Sequence, residues 1–153
     1  MAKVSSITVA NAFLDLANKA GKPMTNMQLQ KLVFLAQGYS LAMLNRPMHV
    51  NNTHAWQWGP VIPILYKKLQ KYGNGLVSEF IPLGVVEEGE LDEQDKALIE
   101  DVFNAYGSWT GSKLSALTHP RDTPWDITFK SEPFGVIPNA LMQTFYAEQL
   151  SVA

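Results

Sequence analysis

The feature that most constrains this chain is an apolar stretch between Met27 and Leu44, in which Lys31 is the only formally charged residue. Four of its apolar residues follow the i, i+3, i+4, i+7 spacing of one helical face, and others fill most of the remaining surface. The four are Leu29, Leu32, Val33 and Ala36. A helix that is apolar nearly all round is usually covered on several sides. The stretch therefore predicts a central, buried helix.

A stretch of this length with a single charge also needs to be weighed as a membrane span, which takes about 20 apolar residues. Polar side chains are scattered through it, and it lacks flanking basic anchors. The polar residues are Gln28, Gln30, Gln37 and Ser40. They favour a core helix of a globular protein.

Composition limits the classes of function. The chain has 153 residues, of which 46% are hydrophobic and 17% charged, and a domain of this size buries roughly 68–70% of the surface of its unfolded chain. A net charge of −2 does not favour binding to nucleic acid or to an anionic membrane. The absence of cysteine excludes disulfides and thiolate chemistry. The first residues do not read as a signal peptide, so we expect a cytoplasmic protein.

Helix caps and breakers divide the chain into five or six predicted helices. Thr25 and Gln28 match a capping box at the start of the central helix. The helices are predicted near residues 5–19, 25–44, 60–72, 93–106, 111–118 and 137–150. At most a small β element is expected near residues 76–86, and residues 118–125 read as a rigid polar loop. The prediction is a mainly α, compact bundle around the central apolar helix, with residues 1–153 forming a single domain.

Two tryptophans, Trp56 and Trp58, straddle one residue immediately before Gly59 and Pro60. Alternation in an extended strand would put both on the same side. We predict that Trp56 covers the core and that Trp58 faces a partner, because tryptophan is enriched at interface hot spots. A stacking surface for single-stranded nucleic acid is a weaker alternative, with nearby lysines as phosphate contacts. These are Lys67, Lys68 and Lys71.

Catalytic signals are weak. The chain has three histidines, and none has a histidine partner at i+4. His119 with Asp122 and Asp126 contains the ligand types of a divalent metal site, and Ser115, His119 and Asp122 contain the types of a nucleophilic triad. No G-x-S-x-G, P-loop or G-x-G-x-x-G motif is present. We predict no enzyme, metal or cofactor, with a small metal-dependent hydrolase as the competing hypothesis.

The order of several short motifs resembles a known family. After the capping Thr25, the chain carries Leu29-Gln30-Lys31-Leu32-Val33-Phe34-Leu35-Ala36-Gln37-Gly38, then Ala55-Trp56, Gly59-Pro60-Val61, Leu117-Thr118-His119 and Pro124-Trp125. In this combination the chain resembles the Panacea domain, the SocA-like antitoxin family, which includes GepA-type phage-associated proteins. The resemblance runs from about Val9 to Trp125.

The resemblance implies a mainly helical, non-enzymatic antitoxin of a toxin–antitoxin system. Such proteins neutralise a cognate protein toxin by direct protein–protein binding. One version of this function is a protease adaptor, which delivers the toxin to an AAA+ protease. A phage or prophage accessory protein that binds a host target is an alternative. Many relatives carry a further N-terminal segment, whereas this chain starts almost at the domain, so we do not expect transcriptional autoregulation.

Together the residues and the resemblance define two sets of site residues. The predicted partner-binding set is Trp58, Tyr66, Lys67, Lys71, His119 and Trp125. The predicted family-motif scaffold is Gln30, Lys31, Leu32, Trp56, Gly59 and Pro60.

Overall fold

A long helix, Asn26–Met43 (α2), lies at the centre of the fold, as predicted. The structure is a computed structural model that describes residues 4–83 and 89–152. Every residue of α2 from position 29 to position 38 is buried, which means that neighbours cover the helix on all sides. Among the described residues, no helix combines the length and hydropathy needed to cross a membrane.

The ends of α2 follow the predicted capping chemistry. The backbone N–H of Gln28 donates to the Thr25 hydroxyl at 3.2 Å, and the N–H of Thr25 donates to the Gln28 side chain at 2.8 Å. This reciprocal pair satisfies two N–H groups that have no partner within the helix. At the other end Asn45 adopts a positive φ of 57°, a conformation that asparagine tolerates and that ends the helix.

The remaining helices surround α2. They are Ser6–Ala20 (α1), Pro63–Leu69 (α3), Glu93–Tyr106 (α4), Gly111–Thr118 (α5), Pro124–Ser131 (α6) and Asn139–Val152 (α7), and a 3-10 turn at Gln70–Tyr72 continues α3. Helices α1, α3, α4, α5 and α7 all contact α2. Helix α7 packs closely on α2 at Gly38, where an added Cβ would lie 2.5 Å from the ring of Tyr146. A glycine at this position lets the aromatic ring rest on the helix backbone.

The mainly α fold class is confirmed, but the described residues contain one helix more than predicted. Residues 124–131 form α6, although the first two of them were expected to close a rigid loop. The Thr123 hydroxyl accepts a hydrogen bond from the Asp126 N–H at 3.3 Å, and Pro124 occupies the first turn. Thr123 and Pro124 both favour a helix start. The threonine side chain accepts a free N–H of the first turn, and proline has no N–H that needs a partner.

A two-stranded antiparallel hairpin replaces the predicted start of the third helix. Its strands are His54–Trp56 (β1) and Gly59–Val61 (β2), with Trp56 opposite Gly59. The sheet therefore lies at residues 54–61, and residues 76–83 form no strand. Leu76 makes an isolated bridge to Thr25, and residues 84–86 lie outside the described part of the chain.

Candidate partner-binding site

The hairpin turn presents Trp58 to the outside. Trp58 is 72% exposed, whereas Trp56 on β1 is partly buried. The two tryptophans do not share the face of one strand as alternation would predict, because the chain turns between them. The Ser115 hydroxyl of α5 donates to the carbonyl of Trp58 at 3.4 Å and tethers the turn. Exposure of Trp58 agrees with the prediction, while its contact with a partner remains a prediction.

Trp56 connects the hairpin to two helices. Its ring meets the ring of Tyr66 on α3 edge to face, with centroids 5.1 Å apart. Its carbonyl accepts a hydrogen bond of 2.6 Å from the indole Nε1 of Trp125 on α6. These contacts fix the base of the hairpin, so that the exposed turn is held on a rigid support.

His119 and Trp125 lie behind the hairpin. Their rings are perpendicular with centroids 4.3 Å apart, and both are partly buried. Trp125 also stacks on Phe129 at 5.2 Å. Burial, and secondarily the positive charge of Lys31, lowers the pKa of His119 below its usual value. A lowered pKa favours the neutral imidazole, which suits packing against an indole.

Lys31 is the most unusual side chain of the site. It is only 3% exposed, and its Nζ donates to the carbonyl oxygen of Pro60 at 2.9 Å. Burial lowers the pKa of Lys31 to about 8. None of the ion pairs among the described residues involves this side chain. A buried ammonium without a carboxylate partner is costly in free energy.

Gly59 makes room for Lys31. Its φ of 123° lies in a region that residues with a side chain rarely adopt. A Cβ at this position would come within 2.8 Å of Lys31 Nζ. Glycine at this position therefore serves both the turn and the buried lysine. The neighbouring Gln30 accepts a hydrogen bond from the N–H of Ile62 at 3.2 Å through its Oε1.

The structure thus brings five of the six predicted scaffold residues together at the base of the hairpin. These are Gln30, Lys31, Trp56, Gly59 and Pro60. The sixth, Leu32, is completely buried in the core of the protein.

A cleft of about 510 Å³ opens beside this scaffold. It lies between the N-terminal ends of α2 and α5, the hairpin and the end of α3. Lys31 is the only charged residue among the described residues that line it. The lining residues are Thr25, Asn26, Met27, Gln30, Lys31, Trp56, Trp58, Val61, Tyr66, Gln70, Gly73, Asn74, Thr110, Gly111 and Ser112.

The predicted partner-binding residues divide into groups. Trp58 and Tyr66 line the cleft, while Lys67 and Lys71 are exposed on the segment that continues from Tyr66. His119 and Trp125 support the hairpin from behind, as described above. Sequence reasoning missed the contribution of residues 110–112 and of Asn26 and Met27. The sequence did indicate that Thr25 and Thr110 each cap the start of a helix. It did not indicate that these two helix starts lie close together in the fold.

The residues of the hydrolase hypothesis have other partners. Asp126 forms an ion pair with Lys130 at 3.0 Å and accepts a hydrogen bond from the Asp122 N–H at 2.9 Å. The Nδ1 of His119 lies 3.4 Å from the Ser115 hydroxyl. Over residues 4–83 and 89–152, no three histidine, aspartate or glutamate side chains come together as a metal-binding group.

The other two histidines serve local structure. The Nδ1 of buried His49 accepts a hydrogen bond from the N–H of Asn51 at 3.1 Å. The Nδ1 of His54 lies 2.9 Å from the carbonyl of Phe134, next to the bridge between β1 and Val136.

The fold is mainly helical, with a tethered aromatic hairpin and an adjacent cleft, and comparison with known proteins assigns its family. The model of the family described as "Antitoxin SocA-like, Panacea domain" matches residues 29–126, and the chain belongs to this family of antitoxins. Antitoxin SocA of Caulobacter vibrioides (strain NA1000 / CB15N) is 31% identical over 131 residues, which cover 81% of this chain and 70% of the relative. No solved structure matches the chain.

Proposed function

We propose that this protein is an antitoxin that neutralises a protein toxin in the cytoplasm by binding to it directly. Membership of the SocA-like antitoxin family supports an antitoxin role in general. The binding surface in this proposal comprises the hairpin turn and its surroundings. Its contact residues are Trp58, Tyr66, Lys67 and Lys71, while His119 and Trp125 support the hairpin from behind.

The observation that carries the proposal is the exposure of Trp58 on a tethered turn. A tryptophan that is 72% exposed leaves a large apolar surface in water, and burial in a partner would remove it. Because the Ser115 hydroxyl and the hydrogen bond between Trp56 and Trp125 hold the hairpin, little conformational freedom is lost on binding. Rigid aromatic anchors of this kind dominate the energetics of many interfaces.

Lys67 and Lys71 supply the polar rim that such an interface needs. Both are exposed on the segment that follows Tyr66, and the Nζ of Lys71 lies 5.3 Å from the centre of the Tyr72 ring. Specific interfaces commonly place an apolar centre within a charged rim and bury about 1,600 Å² in total. The hairpin turn and the two lysines follow this pattern, with an acidic partner surface as the complement.

A growth assay tests the proposal. The toxin is taken from a reading frame next to the gene. It is co-expressed with one of three forms of this protein: the wild type, the Trp58→Ala variant or the Phe80→Ala variant. Phe80 is an exposed aromatic residue outside the proposed surface, so it is a matched control. We expect Trp58→Ala to lose rescue of growth with an unchanged thermal midpoint, and Phe80→Ala to rescue fully. Full rescue by Trp58→Ala would show that this surface does not bind the toxin.

The protease-adaptor version makes a separate demand on toxin levels. If the antitoxin delivers the toxin to an AAA+ protease, the half-life of the toxin must shorten when the antitoxin is present. A chase after translation is stopped measures this half-life with and without the antitoxin. If growth is fully rescued while the half-life of the toxin stays unchanged, delivery to a protease is excluded. Direct binding that blocks the toxin is then the remaining mechanism.

A further inference from the structure

The cleft is built from two stretches of sequence that contain no acidic residue. Residues 16–78 supply the walls from α2, the hairpin and α3, and residues 102–121 supply the wall from α5. Neither stretch contains an aspartate or a glutamate, although the chain has 14 of them and a net charge of −2. All the negative side chains therefore belong to other segments than those that form the cleft.

Exposed lysines next to the cleft have no carboxylate partner. Lys71 directly follows Gln70, which lines the cleft at the end of α3, and Lys113 directly follows Ser112 of the α5 wall. Lys67 of α3 is exposed as well. The ion pairs among the described residues are all formed by other side chains. Positive charge therefore stays uncompensated beside two walls of the cleft.

Aromatic rings hold two of these cations in place. The Nζ of Lys113 lies 4.1 Å from the centre of the Trp109 ring, and the Nζ of Lys71 lies 5.3 Å from that of Tyr72. An ammonium group is attracted to the face of an aromatic ring. The carbonyl of Trp109 accepts a hydrogen bond of 2.7 Å from Gln28 Nε2, so this ring is fixed to the start of α2.

The accessible part of the cleft is apolar. Trp58 of the hairpin and Met27 of α2 both line it, and 72% and 47% of their surfaces are exposed. Met27 lies against α5, where a Cβ added to Gly111 would be 3.0 Å from its sulfur. A methionine side chain adapts its shape to an apolar partner, because it is unbranched and polarizable. The cleft volume of about 510 Å³ lies in the range of small-ligand sites, roughly 300–1,000 Å³, and gives room for an apolar side chain.

The placement of the charges favours a protein segment over a nucleic acid. A nucleic acid needs a basic groove that follows its phosphates, with bases stacked on aromatic rings. Here the exposed lysines flank the cleft, whereas Lys31, the charged residue of the described lining, is only 3% exposed. An apolar centre within a rim of one charge sign is typical of an interface with a protein of the opposite charge.

We propose that the cleft receives an acidic segment of the toxin. One apolar side chain of this segment packs against Met27 and Trp58, and its aspartates or glutamates lie next to Lys71 and Lys113. This inference rests on the proposed function, since it states which kind of toxin segment the antitoxin recognises.

Three peptides, each acetylated and amidated, test the inference on the intact wild-type protein. Asp-Glu-Phe-Leu-Glu-Asp joins an apolar centre to acidic flanks, Asn-Gln-Phe-Leu-Gln-Asn removes the charge, and Asp-Glu-Gly-Ser-Glu-Asp removes the apolar centre. Methionine methyl resonances report binding. Met27 lines the cleft, whereas Met43, at the other end of the same helix and 52% exposed, does not. A single-stranded oligothymidylate is titrated in parallel.

We expect the acidic peptide with the apolar centre to bind at least about fivefold more tightly than either of the other peptides at low ionic strength. Its advantage over the neutral peptide should shrink in salt, which screens exposed charges. Binding should shift the methyl resonance of Met27 and leave that of Met43 unchanged. Equal affinities for the acidic and neutral peptides, no binding by any peptide, or a shift of Met43 alone would overturn the inference. Tighter binding of the oligothymidylate would overturn it in favour of nucleic acid.

Variants identify the contacts. Met27→Ala should lower the affinity for the acidic peptide about fivefold or more, and Met43→Ala is the matched control that should keep the wild-type affinity. The double variant Lys71→Gln, Lys113→Gln should bind the acidic and the neutral peptide equally. Lys96→Gln, on α4, should preserve the difference between these peptides. An unchanged affinity in Met27→Ala, or a preserved difference in the double variant, would contradict the inference.

The growth assay with Trp58→Ala separates this inference from the proposed function. Loss of rescue by Trp58→Ala, combined with no preference for the acidic peptide, would keep the proposed surface and overturn the acidic-segment inference. Full rescue by Trp58→Ala, combined with a preference for the acidic peptide, would overturn the proposed surface and leave a cleft that binds acidic peptides.

Discussion

The Nζ of Lys31 and the carbonyl oxygen of Pro60 lie 2.9 Å apart and join the central helix to the hairpin through a buried charge. The contact exists because Gly59 has no side chain to occupy the space beside the ammonium group. A single hydrogen bond does not repay the free energy of removing an ammonium from water. The contact positions the hairpin against α2, and the rest of the fold must offset its cost in free energy.

The buried Lys31 should make the stability of the protein depend on pH. Its pKa is about 8 in the folded protein and 10.5 ordinarily, so between these values the unfolded chain binds more protons than the folded one. Under that condition the free energy of unfolding rises with pH, by at most about 1.4 kcal/mol per pH unit for one group. Urea denaturation at pH 7.5 and pH 9.5 should show this rise for the wild type.

The matched variant for this prediction is Lys31→Met, which has no titrating group at this position. Its free energy of unfolding should rise less between the two pH values than that of the wild type. The pH range stops at 9.5 because burial raises the pKa values of Tyr39 and Tyr146, an effect that opposes the rise at higher pH. Parallel changes in the wild type and the variant would show that Lys31 is not the group responsible.

Gly59→Ala should destabilise the protein more than Gly73→Ala. Both glycines have positive φ, 123° and 53°, but only at Gly59 would the new Cβ meet Lys31 Nζ within 2.8 Å. A strained backbone conformation costs on the order of 1–3 kcal/mol, and the steric contact adds to this cost at Gly59 alone. Chemical denaturation measures both free energies of unfolding. Equal losses would mean that the Lys31 side chain or the hairpin moves aside without cost.

The central helix and its caps were predictable from the sequence because their determinants are local. A run of apolar residues around one charge indicates burial, and a threonine followed three residues later by glutamine indicates a capped start. These signals located α2 and Thr25 correctly. They did not predict that Lys31 is held against Pro60, since that contact joins residues 29 positions apart.

The hairpin and α6 were missed for different physical reasons. Pro60 in β2 resembles the first turn of a helix, and strands of three residues are too short to show alternation. Pro124 and the turn residues before it suggested a loop, although Thr123 is a helix cap. The cleft could not be predicted from the sequence, because its walls come from four separate segments of the chain.

Leu32→Asp should prevent folding. Leu32 is completely buried, and an aspartate at this position would place an unpaired charge in the core. The penalty is comparable with the total stability of a domain, about 5–15 kcal/mol. Met27→Asp is the control, because Met27 is 47% exposed and an acidic residue is favourable in the first turn of a helix. Circular dichroism should show a loss of helix for the first variant and wild-type helicity for the second.

Lys67→Glu should slow association with the toxin while leaving the fold intact. Lys67 is exposed beside the hairpin surface, and charges at the rim of an interface act mainly through electrostatic steering of the encounter. The association rate constant should fall several-fold at low ionic strength and less at high ionic strength, because salt screens charges over about 10 Å at 0.1 M. Lys96→Glu, on α4, is the matched charge reversal outside the surface and should keep the wild-type rate. If the two variants associate at the same rate at both ionic strengths, Lys67 does not belong to the binding surface.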